Sequence, residues 1–261
     1  MKKFNGVFLK NEKEIALMAI ANGMVARILD ELVSQVEAGK STMFYENIVL
    51  KMCQEFGVKP AFKGLYGFPC ALCVSINEVI VHGIPSDDVI LKEGDIVSFD
   101  VGVCYKGFYG DAARTAYVGM VSEEADRLVV TTRECLERAI AKAEAGNNLL
   151  DISHAVQSHA EKNGYGVVRR FVGHGIGVSP HEKPEVPNFV PGGNQCSLTL
   201  KVGLVLAIEP MISLGTYEVE IYKDGWTAVT KDRRLAAHWE HTVAITKDGP
   251  QVLSLSENFS G

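Results

Sequence analysis

No stretch of this sequence reaches the roughly 20 consecutive apolar residues that a membrane-spanning helix needs, and none gathers lysine and arginine into a basic block. The first absence argues against a helical membrane protein. The second, with a net charge of −6, argues against a general binder of nucleic acid or of anionic membrane surfaces. The N-terminus, MKKFNGVFLKNEKE, has two lysines without a long apolar core behind them, so it does not read as a secretory signal and a cytoplasmic location is expected. Low-complexity segments and long linkers are missing too. The 261 residues, 47% apolar and 22% charged, have the composition of an ordinary globular enzyme. Cysteine is sparse and scattered: Cys53, Cys70, Cys73, Cys104, Cys135 and Cys196. Cys70 and Cys73 form a C-x-x-C, yet a structural zinc site would want a second pair. A thioredoxin-like pair would want a following helix, where SINEVIVHG reads as strand. Reduced, mostly buried thiols are expected.

What the sequence does contain is an internal duplication. A first helix is expected from Asn11 to Ala38, with Asn11 and Glu14 as a capping box and Gly39 ending it. A second is expected from Ser41 to Phe56, closed by Gly57. VEAGKSTMFYENIVLKMCQEFGV (36–58) aligns without gaps to AEAGNNLLDISHAVQSHAEKNGY (143–165), so that Gly39 and Gly57 fall on Gly146 and Gly164 at an offset of 107. LKEGDIVSFD (91–100) aligns to LKVGLVLAIE (200–209) at an offset of 109, placing Asp100 on Glu209. Strands are expected over 72–82, 95–104 and 108–118, then over 166–173, 203–214, 216–229 and 238–246. Helices set apart from a run of strands give an α+β class. The chain reads as one domain, 1–261, made of halves near 1–118 and 119–261. Their strands should share one central sheet, and their strand-end carboxylates should meet in a cleft. The Pro- and Gly-rich segment HEKPEVPNFVPGGNQ (181–195) is expected to be a mobile rim loop.

A shortage of nearby positive charge then sets the chemical question. SFDVGVCYKGFYGD (98–111) carries Asp100 and Asp111 in an apolar hairpin with no Lys or Arg on the strand side of either. With Tyr105-Lys106 as the two-residue turn, Asp100 would oppose Asp111, and two carboxylates that close need a shared proton or a cation. Glu209 at the repeat-equivalent position makes a third acid, and Glu240 in WEHT ends the last apolar strand. His174 and His181 lie in GHGIGVSPHEKP, and His82 ends VIVHGIP. Singly, an Asp at a strand end is more often a turn or cap residue. A His beside Gly is more often a hydrogen-bonded loop residue. As a set, hard oxygen donors with a histidine suit Mn, Fe(II), Co or Zn. His154 and His159 read as surface or packing residues. His238 and His241 flank Glu240 and are expected to face away from it.

The segments SINEVIVHGIP, GDIVSFDVGV, GFYGDAART, GHGIGVSPHEKP, LAIEP and WEHT, in this order and across essentially the whole chain, resemble the type I methionine aminopeptidases of the pita-bread fold. That resemblance implies two divalent ions: Asp100 on one, Asp111 and Glu240 bridging, His174 and Glu209 on the other. It implies His82 against the substrate's amino-terminal region and scissile amide, His181 stabilising the tetrahedral intermediate, and Glu209 shuttling the proton. Phe68, Cys73 and Trp226 would line the methionine pocket, and a monovalent cation (Na or K) would sit on backbone carbonyls near Asn77 and Val79, with a third contact near Ala236. In the family Cys is common at the position of Phe62, Tyr at Leu65 and Phe at Pro180, departures that bear on the pocket and on the accepted second residue. The short gap from His181 to Glu209 leaves no room for the helical insertion of about 60 residues carried by type II relatives. Without a Cys-rich zinc segment before helix 1, a compact bacterial form is expected. The implied activity is removal of initiator methionine from nascent polypeptides with a small second residue, by a monomer in transient association with the ribosome. Two alternatives are a prolidase or aminopeptidase P type of exopeptidase and a non-catalytic binding protein of the same fold.

Overall fold

The structure, a computed structural model, describes residues 2–192 and 198–259. Cys196 lies outside the described residues. Among them are four α-helices, α1 (Glu12–Ser34), α2 (Thr42–Phe56), α3 (Glu123–Ile140) and α4 (Leu149–Lys162). The capping box of α1 forms as expected, with Asn11 accepting from the Glu14 N–H and the Glu14 carboxylate accepting from the Asn11 N–H. The helix stops at Gln35, short of the expected Ala38, and the chain turns through Gly39 at φ +90°. Asn148 builds the same box on α4 with Asp151. No helix among the described residues is long and apolar enough to cross a membrane.

The central sheet has nine strands among the described residues. From one edge run Glu182–Val186, Gly173–Gly175, Val205–Ile208, Glu240–Thr246, Phe108–Tyr117, Ile96–Tyr105 and Lys59–Pro60, all antiparallel. Gly249–Val252 and Leu72–Ile76 join Glu240–Thr246 and Ile96–Tyr105 off this path. The halves meet where Phe108–Tyr117 pairs with Glu240–Thr246. One core packs α1 and α2 on the first-half strands through Ile28, Leu29, Tyr45 and Phe99. A second packs α3 and α4 on the second-half strands through Leu128, Leu136, Val156 and Leu206. Repeat-equivalent glycines share left-handed backbones: Gly39 and Gly146 (φ +90° and +98°), Gly57 and Gly164 (+66° and +82°), Gly94 and Gly203 (+90° and +92°). Even the isolated bridges correspond, Ser41 with Ile90 and Asn148 with Thr199. The α+β pita-bread architecture is therefore a duplicated one.

Several expected strands are shorter or broken. The stretch 72–82 turns at Asn77, whose φ is +53°, and 203–214 is interrupted at Glu209–Pro210. Residues 216–229 contain two paired strands, Val219–Ile221 and Ala228–Thr230, joined through Gly225 at φ +80°. Conversely, the expected loop at 181–195 contains an edge strand, Glu182–Val186, whose Pro184 falls at a register shift where no ladder N–H is needed.

The hairpin register also differs from the expected one. Its turn is Lys106-Gly107, with φ of +49° and +82°, the signs of a type I′ turn whose twist suits a two-residue hairpin. Asp100 consequently faces Ala113, and Asp111 faces Gly102. The shift moves the partner by two residues, so both acids stay on one face as diagonal neighbours.

The other face of this hairpin rests on α1. A Cβ at Gly110 would come within 2.8 Å of the α1 backbone at Ala21 and Asn22. That closeness lets the Asn22 side chain accept from the Asp111 N–H at 3.1 Å while donating to the Met18 carbonyl at 2.9 Å. Gly110→Ala must push helix and strand apart. It is expected to cost about 1–3 kcal/mol, as overpacking does, and to lower Tm by roughly 2–4 °C per kcal/mol in a chain of this size, readable by thermal denaturation.

Candidate active site

A cavity of about 930 Å³ opens over the middle of the sheet. All five expected metal ligands, Asp100, Asp111, His174, Glu209 and Glu240, line it, as do His82, His181, Phe68, Cys73 and Trp226. The row running from Ile96–Tyr105 across Phe108–Tyr117 to Glu240–Thr246 places Asp100, Ala113 and Glu240 side by side. The alanine between the two acids leaves space above it. Val205–Ile208 lies next to Glu240–Thr246; its Ala207 faces His174 on the strand beyond, and Glu209 follows its end. Ligand atoms of Asp111, His174 and Glu240 all fall within 4.8 Å of one another. His174 Nε2 is 3.5 Å from Glu209 Oε1, and His238 Nε2 is 3.6 Å from Glu209 Oε2.

Neutral groups fix the backbone beneath these acids. The Thr242 hydroxyl donates to the Asp111 carbonyl at 2.7 Å, and Asn188 donates to the Glu209 carbonyl at 2.9 Å. The Thr115 hydroxyl donates to the His238 carbonyl at 2.8 Å and accepts from the His238 N–H at 3.1 Å. His174 Nδ1 lies 3.0 Å from the Gly175 carbonyl; a hydrogen bond there fixes the proton on Nδ1 and leaves the Nε2 lone pair for a ligand.

His238 was expected to face away from Glu240. It lies instead beside Glu209, because residues two apart along extended chain point the same way. His241 does turn to the other side, where its ring meets Ser254 at 2.7 Å. Asn22, Asn188 and Thr242 escaped the sequence reading. The first had a signal, an amide inside the otherwise apolar run ALMAIANGMV.

Burial leaves the carboxylates short of partners. Asp100 Oδ1, Asp111 Oδ1 and Glu240 Oε1 are inaccessible and accept no hydrogen bond among the described residues. Desolvation raises Asp100 to about 7, with Glu209 adding to the rise and His238 opposing it. Glu209 is raised by burial to about 8. Asp111 and Glu240 are driven well above the usual carboxylate range, by burial first and by the neighbouring acids second. Burial lowers His174 to about 3 and His82 to about 4. Orphaned oxygens of this kind, with an unprotonated imidazole nitrogen among them, fit hard divalent cations.

The walls are apolar. Phe68 and Trp226 meet edge to face at 5.2 Å, and the His82 ring stands 5.1 Å from Phe171 and 6.3 Å from Trp226. His82 has φ +60°, a left-handed backbone that a non-glycine residue adopts at a cost. The His181 ring is 4.5 Å from that of His174 and is stacked on exposed Tyr66 at 5.9 Å. Phe62 and Leu65 also line the cavity. Cys73 is buried in the wall, where burial and the nearby Asp100 and Asp111 hold its thiol well above its ordinary range. Cys53, Cys70, Cys73, Cys104 and Cys135 are free thiols.

The raised acids have a stability consequence. Between about pH 7.5 and pH 9, unfolded carboxylates and histidines hold few protons, whereas folded Glu209 and the fraction of Asp100 still protonated lose theirs. The chelated protein should therefore lose stability as pH rises through this window. Below it, the lowered histidines act in the opposite sense, since their stabilisation is lost as pH falls. Thermal melts after chelation should show Tm falling from about pH 7.5 to about pH 9, and added Mn should flatten the slope.

The family model described as Metallopeptidase family M24 matches residues 16–247. A methionine aminopeptidase of Clostridium perfringens is 49% identical over 249 residues, covering 95% of this chain and 99% of that protein. The crystal structure of a methionine aminopeptidase from Thermotoga maritima superposes with a TM-score of 0.92 at 44% identity, over 95% of this chain and 99% of the other. A prolidase from Pyrococcus furiosus shares the fold alone, with a TM-score of 0.77 at 22% identity over 65% of its own length. By these matches across nearly its full length, the chain belongs to metallopeptidase family M24 and, within it, to the methionine aminopeptidases.

Proposed function

We propose that this protein removes the N-terminal methionine from nascent polypeptides by hydrolysing their first peptide bond, with residues 1–261 acting as a single catalytic domain of two halves, near 1–118 and 119–261. The observation that carries the reading is the cluster of orphaned carboxylate oxygens on the floor of an apolar-walled cavity. Asp100, Asp111, His174, Glu209 and Glu240 would hold two divalent ions, Co, Mn, Fe or Zn, with Asp111 and Glu240 shared between them. When bound, such a pair acidifies water and polarises the adjacent carbonyl as a Lewis acid.

The chain's own groups do the rest. Glu209 takes the water proton at a carboxylate oxygen and returns it to the leaving amine, with His238 beside its Oε2 to steady the charge change. His181, at the cavity mouth, donates to the oxyanion developing on the carbonyl. His82, held between Phe171 and Trp226, faces the scissile amide. Phe68, Cys73 and Trp226 receive the methionine side chain, since aromatic edges and sulfur suit a polarizable thioether. Phe62 and Leu65 line the same cavity and would bear on the second residue, a small one in this reading.

A monovalent cation on the carbonyls near Asn77 and Val79 belongs to the same reading. The Ala236 N–H donates to the Asn77 carbonyl at 2.8 Å, which supports a clustering of these backbones. A cytoplasmic monomer in transient association with the ribosome belongs to the same reading, and the −6 net charge supports a protein that binds no nucleic acid specifically.

After reconstitution with Mn or Co, the protein should hydrolyse Met-Ala-Ser in preference to Xaa-Pro peptides; the reverse preference would overturn the reading in favour of a prolidase. Asp111→Asn should lower that activity by at least about 100-fold and weaken metal binding by calorimetry, because it removes a shared ligand. A native protein that takes up neither metal would point to a non-catalytic binder.

A further inference from the structure

We infer that Lys10 and Glu182 form a positioning pair that sets His181 over the cleft, an inference that rests on the role proposed above for His181. The His181 imidazole makes no hydrogen bond among the described residues; its neighbours are the rings of His174 and Tyr66. Its aim is therefore set by the backbone that carries it. That backbone is clamped by the next residue. Glu182 Oε1 accepts from the Val178 N–H at 2.8 Å and the Ser179 N–H at 3.3 Å, closing the turn that delivers His181. Glu182 Oε2 meets Lys10 Nζ at 2.6 Å, and Lys10 also donates to the Phe8 carbonyl at 3.3 Å.

The pair is closed off from solvent: the Lys10 side chain is 0% exposed and that of Glu182 4%. A Cβ at Gly177 would meet Lys10 Cε and Glu182 Oε1, so the pair packs directly against the turn. The far end of the turn is fixed as well, where the Gly177 carbonyl accepts from the Tyr109 N–H at 2.8 Å on the strand that carries Asp111. Lys10 is itself anchored, its N–H donating to the Gly203 carbonyl at 2.7 Å and its neighbour Asn11 capping α1. A buried ion pair is a poor source of net stability, because desolvation offsets its attraction. What it does supply is a fixed distance between two segments 172 residues apart. Here one of those segments ends on His181.

The test is a double-mutant cycle on the metal-loaded enzyme with Met-Ala-Ser, combining the neutral pair Lys10→Met/Glu182→Gln with His181→Ala. On the native background the neutral pair should lower kcat by about 10- to 100-fold, with KM within about twofold and bound metal unchanged. On the His181→Ala background it should change kcat by less than about twofold, since there is no ring left to misplace. An unchanged kcat on the native background, or equal losses on both, would overturn the inference while leaving the proposed function standing. If His181→Ala alone leaves kcat intact, the role of His181 fails and the pair's role falls with it. Should the double variant not fold, Glu182→Gln alone keeps an oxygen for the Val178 and Ser179 N–H groups and is read on the same two backgrounds.

Discussion

Asp100, Asp111, Glu209 and Glu240 converge on one buried volume, where each is stripped of water and repelled by the others. Much of the surrounding structure can be read as a response to that repulsion. Neutral groups hold the backbones in place: Asn22 and Thr242 on Asp111, Asn188 on Glu209, Thr115 on His238. Several carboxylate oxygens are left over. The contrast with Glu182 is instructive. That buried carboxylate has its own ammonium at 2.6 Å and two backbone N–H groups besides. One buried acid is thus neutralised from within the chain, while the four in the cleft fit charge brought from outside it.

The cleft owes its place to the duplication. Each half builds two helices and an apolar strand that presents an acid, Asp100 midway along Ile96–Tyr105 in one and Glu209 just past the end of Val205–Ile208 in the other. Paired through Phe108–Tyr117 and Glu240–Thr246, the halves bring those acids over one floor. The equivalent glycines do not enter the site. They fix the turns that bring helix and strand to the same angle twice, which is why each matched pair has its φ in the left-handed region.

The sequence showed which residues belong together better than how they are arranged. The facing of Asp100 and Asp111 survived a misplaced turn because strand parity tolerates a shift of two. The register did not, since Tyr105-Lys106 and Lys106-Gly107 both offer two-residue turns and only backbone twist selects between them. The strand at Glu182–Val186 was hidden by its proline, Pro184, which an edge position tolerates. His238 was misjudged although alternation places it beside Glu240. Asn22 and Lys10 act through partners 89 and 172 residues away, and local pattern carries no trace of such distances.

The order in which the sheet is completed matters for the protein's own synthesis. Glu240–Thr246 lies between Val205–Ile208 and Phe108–Tyr117, so it is the strand that joins the two halves of the sheet, and it follows both of those strands in chain order. Until it has left the ribosome, Asp100 and Asp111 are separated from His174 and Glu209 by the width of a missing strand. The acidic cluster therefore comes together only once this strand has been made, after the segments that carry Asp100, Asp111, His174 and Glu209.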